Sequence, residues 1–294
     1  MNAPTSALLW SLVILALPAA SADPGDSTNP LRQAKQWNAE AETYMDRGAY
    51  DDARRLYLRS LPVMEQILGP EHPASVTILG NLCDASIRMS AYLDAKPVCT
   101  RALALREKVL GPNHPDVARS LSDLALLYAN EGNLARAEAL LRRALAINRA
   151  ENSPDLPALL NNLGFLYAQK RKYSLAEDVF DRAIASTEKS RGPDDPDLVT
   201  MLSNAGYVYL QHRRFHAAED RFQHGLAIAE HASVPETERA RALVGLARAE
   251  AAVGNASQAA AFLQRAEGVV ERDHQAYLEL GPTIELARRD LLGR

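Results

Sequence analysis

From about residue 35 onward, apolar residues recur at helical spacing in paired amphipathic segments, with short polar or glycine-containing turns between them. Leu121-Ser122-Asp123-Leu124-Ala125-Leu126-Leu127-Tyr128 returns as Leu160-Asn161-Asn162-Leu163-Gly164-Phe165-Leu166-Tyr167. It returns again as Leu202-Ser203-Asn204-Ala205-Gly206-Tyr207-Val208-Tyr209. A shorter copy is Leu79-Gly80-Asn81-Leu82-Cys83, and weaker outer copies run from Trp37 to Tyr44 and from Leu243 to Glu250.

The small residue of each copy is Ala41, Cys83, Ala125, Gly164, Gly206 and Ala247, at intervals of 42, 42, 39, 42 and 41. At +12 from each stand Ala53, Ala95, Ala137, Ala176, Ala218 and Ala259; at +19 stand Ser60, Ala102, Ala144, Ala183, Gly225 and Ala266. Small side chains at fixed offsets let two antiparallel helices approach closely. Larger residues fill the space beside the crossing: Tyr57, Cys99, Leu141, Phe180, Phe222 and Leu263, each four after the +12 residue. Neither helix of such a pair buries its apolar stripe alone, so neighbouring pairs must stack into a solenoid.

The expected organisation is all-α: six helix pairs within 35–275, at about 34–70, 73–111, 115–151, 154–191, 196–232 and 236–275. Residues 276–294 are expected to close the open end, with Thr283 to Leu292 forming the capping helix after Gly281-Pro282.

The small-residue triad and the Leu and Tyr positions resemble the tetratricopeptide repeat. Two longer stretches are more particular, Tyr92-Leu93-Asp94-Ala95-Lys96-Pro97-Val98-Cys99-Thr100-Arg101-Ala102-Leu103 and the linker Leu110-Gly111-Pro112-Asn113-His114-Pro115-Asp116-Val117-Ala118. With the 42-residue period they resemble the long repeats of kinesin light chains. The resemblance implies a right-handed superhelix and a protein or peptide partner. One departure concerns the proline that ordinarily closes the second helix. Glu65, Glu107, Arg149, Glu188, Glu230 and Glu271 stand there, so the second helices are expected to run two turns longer.

Composition changes this picture little. The chain has 294 residues, 47% apolar and 24% charged, and aromatics make up 6%. Its 33 basic against 37 acidic side chains give a net charge of −4, with no basic stripe for nucleic acid. No Gly-rich phosphate loop, Gly-x-Ser-x-Gly or Cys-x-x-Cys occurs, so neither an enzyme nor a cofactor is expected. The apolar run Ala7 to Leu17, then Pro18 and Ala20-Ser21-Ala22, reads as a signal peptide, residues 1–22, cleaved after Ala22. The mature protein would then be periplasmic or secreted. No Lys or Arg precedes the run, which leaves an uncleaved membrane anchor as the alternative. Residues 23–34 read as a flexible lead-in.

Several side chains are candidates for chemistry. His72 and His114 sit in Gly-Pro-x-His-Pro linkers, where Pro73 and Pro115 suit the first helical turn. Asp195 holds the equivalent place in the next full linker, so helix capping rather than metal binding is expected. Cys83 and Cys99 should both face the seam inside the second hairpin. They are left open between a disulfide and two buried thiols; Cys99 also matches a cysteine frequent in the resembled pattern.

A polar row, Asn81, Asp123, Asn162 and Asn204, precedes the anchors and is broken by Ala39 and Gly245 at the ends. In the resembled family this position faces the concave groove, and an asparagine amide suits a peptide backbone. The alternative is that these amides bond neighbouring helices and set repeat geometry. Arg119, Asn161, Thr200 and Arg241, with Thr77 and Ser203, are the neighbouring groove candidates, and Arg88 and Arg119 could meet an acidic group. The expected function is a non-catalytic peptide-binding adaptor, with an assembly subunit or an enzyme's regulatory subunit as alternatives. A monomer is favoured.

Overall fold

The structure, a computed structural model, describes residues 29–148 and 153–292. The signal segment with its cut at Ala22, most of the lead-in, and Arg149 lie outside the described residues. Among the described residues there are thirteen helices and no strand. None of these helices is long and apolar enough to cross a membrane.

Six antiparallel hairpins follow one another. They are α1 (Pro30–Asp46) with α2 (Tyr50–Leu68), α3 (Pro73–Arg88) with α4 (Tyr92–Leu110), and α5 (Pro115–Asn130) with α6 (Leu134–Ile147). Then come α7 (Leu156–Gln169) with α8 (Tyr173–Arg191), α9 (Asp197–Gln211) with α10 (Phe215–His231), and α11 (Glu236–Val253) with α12 (Ala256–Val270). A last helix, α13 (His274–Leu292), packs on α11 and α12. The long second helices expected from the missing proline are present in three hairpins, where α2, α4 and α8 each have 19 residues, and α10 has 17; α6 and α12 are shorter, at 14 and 15.

Both ends differ from the sequence expectation. Helix α1 starts inside the presumed lead-in, because Asn29 caps it through Oδ1, 3.0 Å from the Leu31 N–H, and Pro30 fits the first turn. At the other end Gly281-Pro282 does not break the chain, and α13 begins at His274 and runs through it. Pro282 is exposed, as are Pro62 inside α2 and Pro97 inside α4. On the water side of a helix, the carbonyl that proline leaves without a donor is hydrated, so the helix continues. Buried Ala276, Leu280 and Ile284 hold α13 against the solenoid end.

The linkers cap the next helix as their residues suggest. Nδ1 of His72 accepts from the Ala74 N–H and Nδ1 of His114 from the Asp116 N–H, each at 3.2 Å. Asp195 accepts from the Asp197 N–H at 3.0 Å in the same way. Gly69, Gly111 and Gly192 end the preceding helices at φ of 95°, 87° and 102° with ψ near 160°, a region open only to glycine. Inside every hairpin, the residue seven after the anchor is left-handed. Gly48, Gly132 and Gly254 fill that place three times, and Ser90, Arg171 and Arg213 fill it at φ of 57°, 55° and 61°.

The seam of each hairpin pairs the anchor with the residue sixteen later, and the two sizes compensate. Gly164 faces Phe180 and Gly206 faces Phe222; a Cβ on either glycine would lie 2.9 or 2.7 Å from the ring. Ala125 and Ala247 accompany Leu141 and Leu263, and all four are buried. In the second hairpin the same place holds Cys83 and Cys99, joined as a disulfide with Cα atoms 5.0 Å apart. The crossing is therefore filled by an aromatic ring, an aliphatic side chain or a covalent bridge.

Between hairpins, the first helices α3, α5, α7, α9 and α11 touch in sequence, whereas the second helices stand farther apart. Long ion pairs span that wider side: Glu65–Arg101 at 2.8 Å, Glu107–Arg143 at 2.6 Å and Glu230–Arg265 at 2.8 Å. Three glutamates that replace the closing proline thus reach the arginine of the next second helix. Exposed pairs of this kind contribute up to about 1 kcal/mol each, so they tune the stacking rather than drive it. Close first helices and spread second helices make the first-helix face the concave one.

Candidate concave-face site

The polar row lies on this face, and most of it is bonded from repeat to repeat. Asn162 Nδ2 donates to Ser122 Oγ of the preceding first helix at 2.9 Å. Asn204 Nδ2 donates to Asn161 Oδ1 at 3.1 Å. Asn81 sits beside the Tyr57 hydroxyl. Burial, then the Glu42 charge, push that hydroxyl up to about 12, and the Asn81 side chain acts in the opposite sense. The row therefore couples neighbouring repeats, the second of the two roles expected for it.

The end of the row at Gly245 and a gap in its bonding at Gly80 both have a steric origin. Gly245 stands where the next asparagine would be, because a Cβ there would meet the Phe222 ring at 2.3 Å. The hydroxyl awaiting that asparagine, Ser203 Oγ, is buried without a partner among the described residues. Ahead of Asn81, Gly80 takes the place that Ser122 and Asn161 hold in later repeats, because the Arg106 guanidinium fills the space, 1.9 Å from a would-be Cβ. Arg106 is buried and donates to Ser120 Oγ at 2.8 Å and to the Asp116 carbonyl at 3.2 Å.

The outer candidates are already engaged. Arg119 bonds Asp155 at 3.0 Å and Asp116 at 3.2 Å, and Arg241 bonds Glu238 at 2.9 Å. Arg88 bonds Asp84 at 3.0 Å. An acidic ligand would have to displace these carboxylates. Thr200 is half-buried in the first turn of α9.

Three features of the central part are open. Asn161 Nδ2 and Asn162 Oδ1 have no partner among the described residues, so one donor and one acceptor stand next to each other. One turn on, Phe165 is 43% exposed, a large apolar ring without a cover. Tyr207 holds the equivalent place on α9, fixed by a bond from its hydroxyl to the Arg241 carbonyl at 3.1 Å and by edge contact with Phe222. The guanidinium of Arg248, one repeat further, lies 5.8 Å from the Tyr207 ring. Sequence reasoning passed over Phe165, Tyr207 and Arg248. Their signal was available, since each directly follows its anchor.

Asp123 is the electrostatic exception in the row. Burial first, and then the Asp84 charge, push its carboxyl up to about 7, while Arg106, Arg88 and Arg119 act against that shift. A folded-state pKa above the unfolded one means that the native chain holds the proton more tightly. The resulting stability is complete below the unfolded value near 3.8 and is lost as pH rises through about 7. Asp123→Asn keeps the neutral form at every pH. It is expected to be more stable than the parent at pH 8 by about 2 kcal/mol, with the gap closing toward pH 4. Urea denaturation at both pH values measures it.

Among the described residues no group of three or more His, Cys, Asp or Glu side chains is placed to hold a metal ion. In His72 and His114 the Nδ1 atoms are spent on the caps.

A layer of paired helices stacked through small-residue seams, with an open face on the first helices, defines an α-solenoid of the kind used as protein-interaction scaffolds. Tetratricopeptide repeat models match residues 41–74, 76–150 and 155–231, together more than half of the chain. The chain belongs to the tetratricopeptide repeat family. No curated protein sequence matches it significantly.

Similar solved structures include BtubC (BKLC) from P. vanneervenii, at 21% identity and TM-score 0.60 over 83% of this chain and 92% of that one. Another is a Podosopora anserina putative kinesin light chain with nearly identical TPR-like repeats, at 20% identity and TM-score 0.54 over 68% and 95% of the two chains. The APC/C hetero-tetramer Cut9-Hcn1 follows, at 17% identity and TM-score 0.64 over 88% of this chain and 43% of the other. At these identities the likeness establishes the fold, which is ordinarily non-catalytic.

Proposed function

We propose that this protein is a non-catalytic adaptor that holds an extended peptide segment along its first-helix face, outside the cytoplasm. The observation that carries the reading is the open trio at the middle of that face. Asn161 Nδ2 and Asn162 Oδ1 offer a donor and an acceptor to one peptide unit, and exposed Phe165 offers an apolar seat one turn away. Asn204 is turned to the preceding repeat and Arg88, Arg119 and Arg241 are paired with carboxylates, whereas the trio keeps unused bonding capacity at the surface. Placement outside the cytoplasm is supported by the apolar N-terminal run and by the Cys83–Cys99 disulfide, a bond that persists in oxidising compartments.

The test is selection from a random peptide library against the purified protein, followed by titration of the enriched peptides into Phe165→Ala. Because Phe165 is exposed, the substitution leaves the fold intact. Loss of a central aromatic anchor is expected to weaken binding by about tenfold or more. Enriched peptides that bind Phe165→Ala as tightly as the parent would remove this face from the account.

A further inference from the structure

Asp123 stands where Asn162 and Asn204 stand in later repeats, yet its carboxylate meets sulfur rather than a hydroxyl or amide. Oδ2 lies 3.7 Å from Cys83 Sγ. Cys83 and Cys99 are 1% and 0% exposed, and half-buried Asp123 borders their bridge within the α3–α4–α5 packing. The charged groups around Asp123 are Asp84 and Arg88 of α3, Arg106 of α4 and Arg119 of α5. Each arginine spends its hydrogen bonds elsewhere: Arg88 on Asp84, Arg106 on Ser120 and the Asp116 carbonyl, Arg119 on Asp116 and Asp155. Among the described residues, the one atom at hydrogen-bonding distance of this carboxylate is therefore Cys83 Sγ, which can donate only when it carries hydrogen.

We propose that Cys83, Cys99 and Asp123 form a proton-coupled redox centre, in which opening the disulfide gives the Asp123 carboxylate a thiol hydrogen bond and releases its proton. The co-reactant is a dithiol. Its thiolate attacks one protein sulfur, the S–S bond breaks, and the second thiol of the reductant displaces the mixed disulfide. Two electrons pass to the protein, the reductant leaves as a cyclic disulfide, and both protein sulfurs end as thiols.

In the oxidised state Cys83 has no hydrogen to give, and burial keeps the Asp123 proton in place. In the reduced state the Cys83 S–H donates to Oδ2, which favours the ionised carboxyl, and the released proton goes to solvent. Since both sulfurs are buried, the reductant reaches them through local opening of the α3–α4 seam. Below the thiol pKa of both partners, exchange with a dithiol moves no net protons. An isolated disulfide therefore gives an exchange constant that does not change with pH, whereas this one must change.

The experiment equilibrates the full chain with reduced and oxidised dithiothreitol at pH 5.5 and 7.5, then traps thiols by alkylation for mass spectrometry. The exchange constant is expected to favour the reduced protein about threefold to tenfold more at pH 7.5, and to stay flat in Asp123→Asn. A flat profile in the parent, or the same rise in Asp123→Asn, overturns the proposal. Carboxyl titration of the parent protein by carbon NMR gives an answer that does not depend on the variant folding. The Asp123 pKa must fall on reduction, and an unchanged value overturns the proposal equally.

Discussion

Phe222→Ala is expected to destabilise the chain by about 3–5 kcal/mol, as removal of a fully buried phenyl ring does when its surroundings cannot collapse. The ring is 0% exposed and sits between two repeats. Gly206 of its own hairpin and Gly245 of the next both lie so close that a Cβ would come within 2.7 and 2.3 Å of it, and the Tyr207 ring meets it edge-on at 5.0 Å. Loss of the ring empties a place that both glycines leave open. In a solenoid each repeat contacts only its neighbours, so the damage should centre on α9 to α12. Hydrogen exchange should therefore quicken there first, with residues 30–110 least affected. The glycines give a compensating test. Gly245→Ala alone overpacks against Phe222, but in the Phe222→Ala background its methyl enters vacant space and should return about 1 kcal/mol. Urea denaturation of the four proteins of this cycle measures the coupling, and simple additivity would contradict the packing described.

Reduction of the Cys83–Cys99 bridge is the second large effect, about 3 kcal/mol for a closed loop of this size in the chain-entropy treatment. The two cysteines are 16 residues apart, the spacing of every anchor from its seam partner. The bridge therefore takes the place that a ring or an aliphatic side chain fills in the other hairpins. Cysteine fills this crossing poorly compared with Phe180 or Phe222, so the second hairpin is expected to depend on its bridge. Chemical denaturation with and without reductant checks this. An unchanged midpoint would mean that the seam residues alone hold α3 against α4.

Much of this was legible in the chain because a repeat writes its geometry several times. The anchors, their +12 and +19 partners and the capping role of His72 and His114 all follow from residues that recur at one place. What repetition does not write was harder to read. Ser90, Arg171 and Arg213 adopt a left-handed turn that their side chains do not favour; only the glycines at the same place in other hairpins give it away. Helix α13 passes through Gly281-Pro282 because the outer side of a terminal helix is wet, a fact of tertiary position. The polar row could be located from sequence, but not where its amides point. That depends on what the preceding first helix presents: an acceptor from Ser122 and from Asn161 in two cases, and none from Gly80 in a third. The open trio at Asn161, Asn162 and Phe165 emerges only once those bonds are assigned.

The central claim is that the first-helix face holds the partner. It is tested most directly by placing a photo-crosslinking amino acid at Phe165 and, separately, at Leu93, which is 91% exposed on a second helix, and irradiating each with the library-selected peptide. The account predicts a peptide adduct from position 165 and none from position 93. An adduct from position 93 with none from 165 would contradict it.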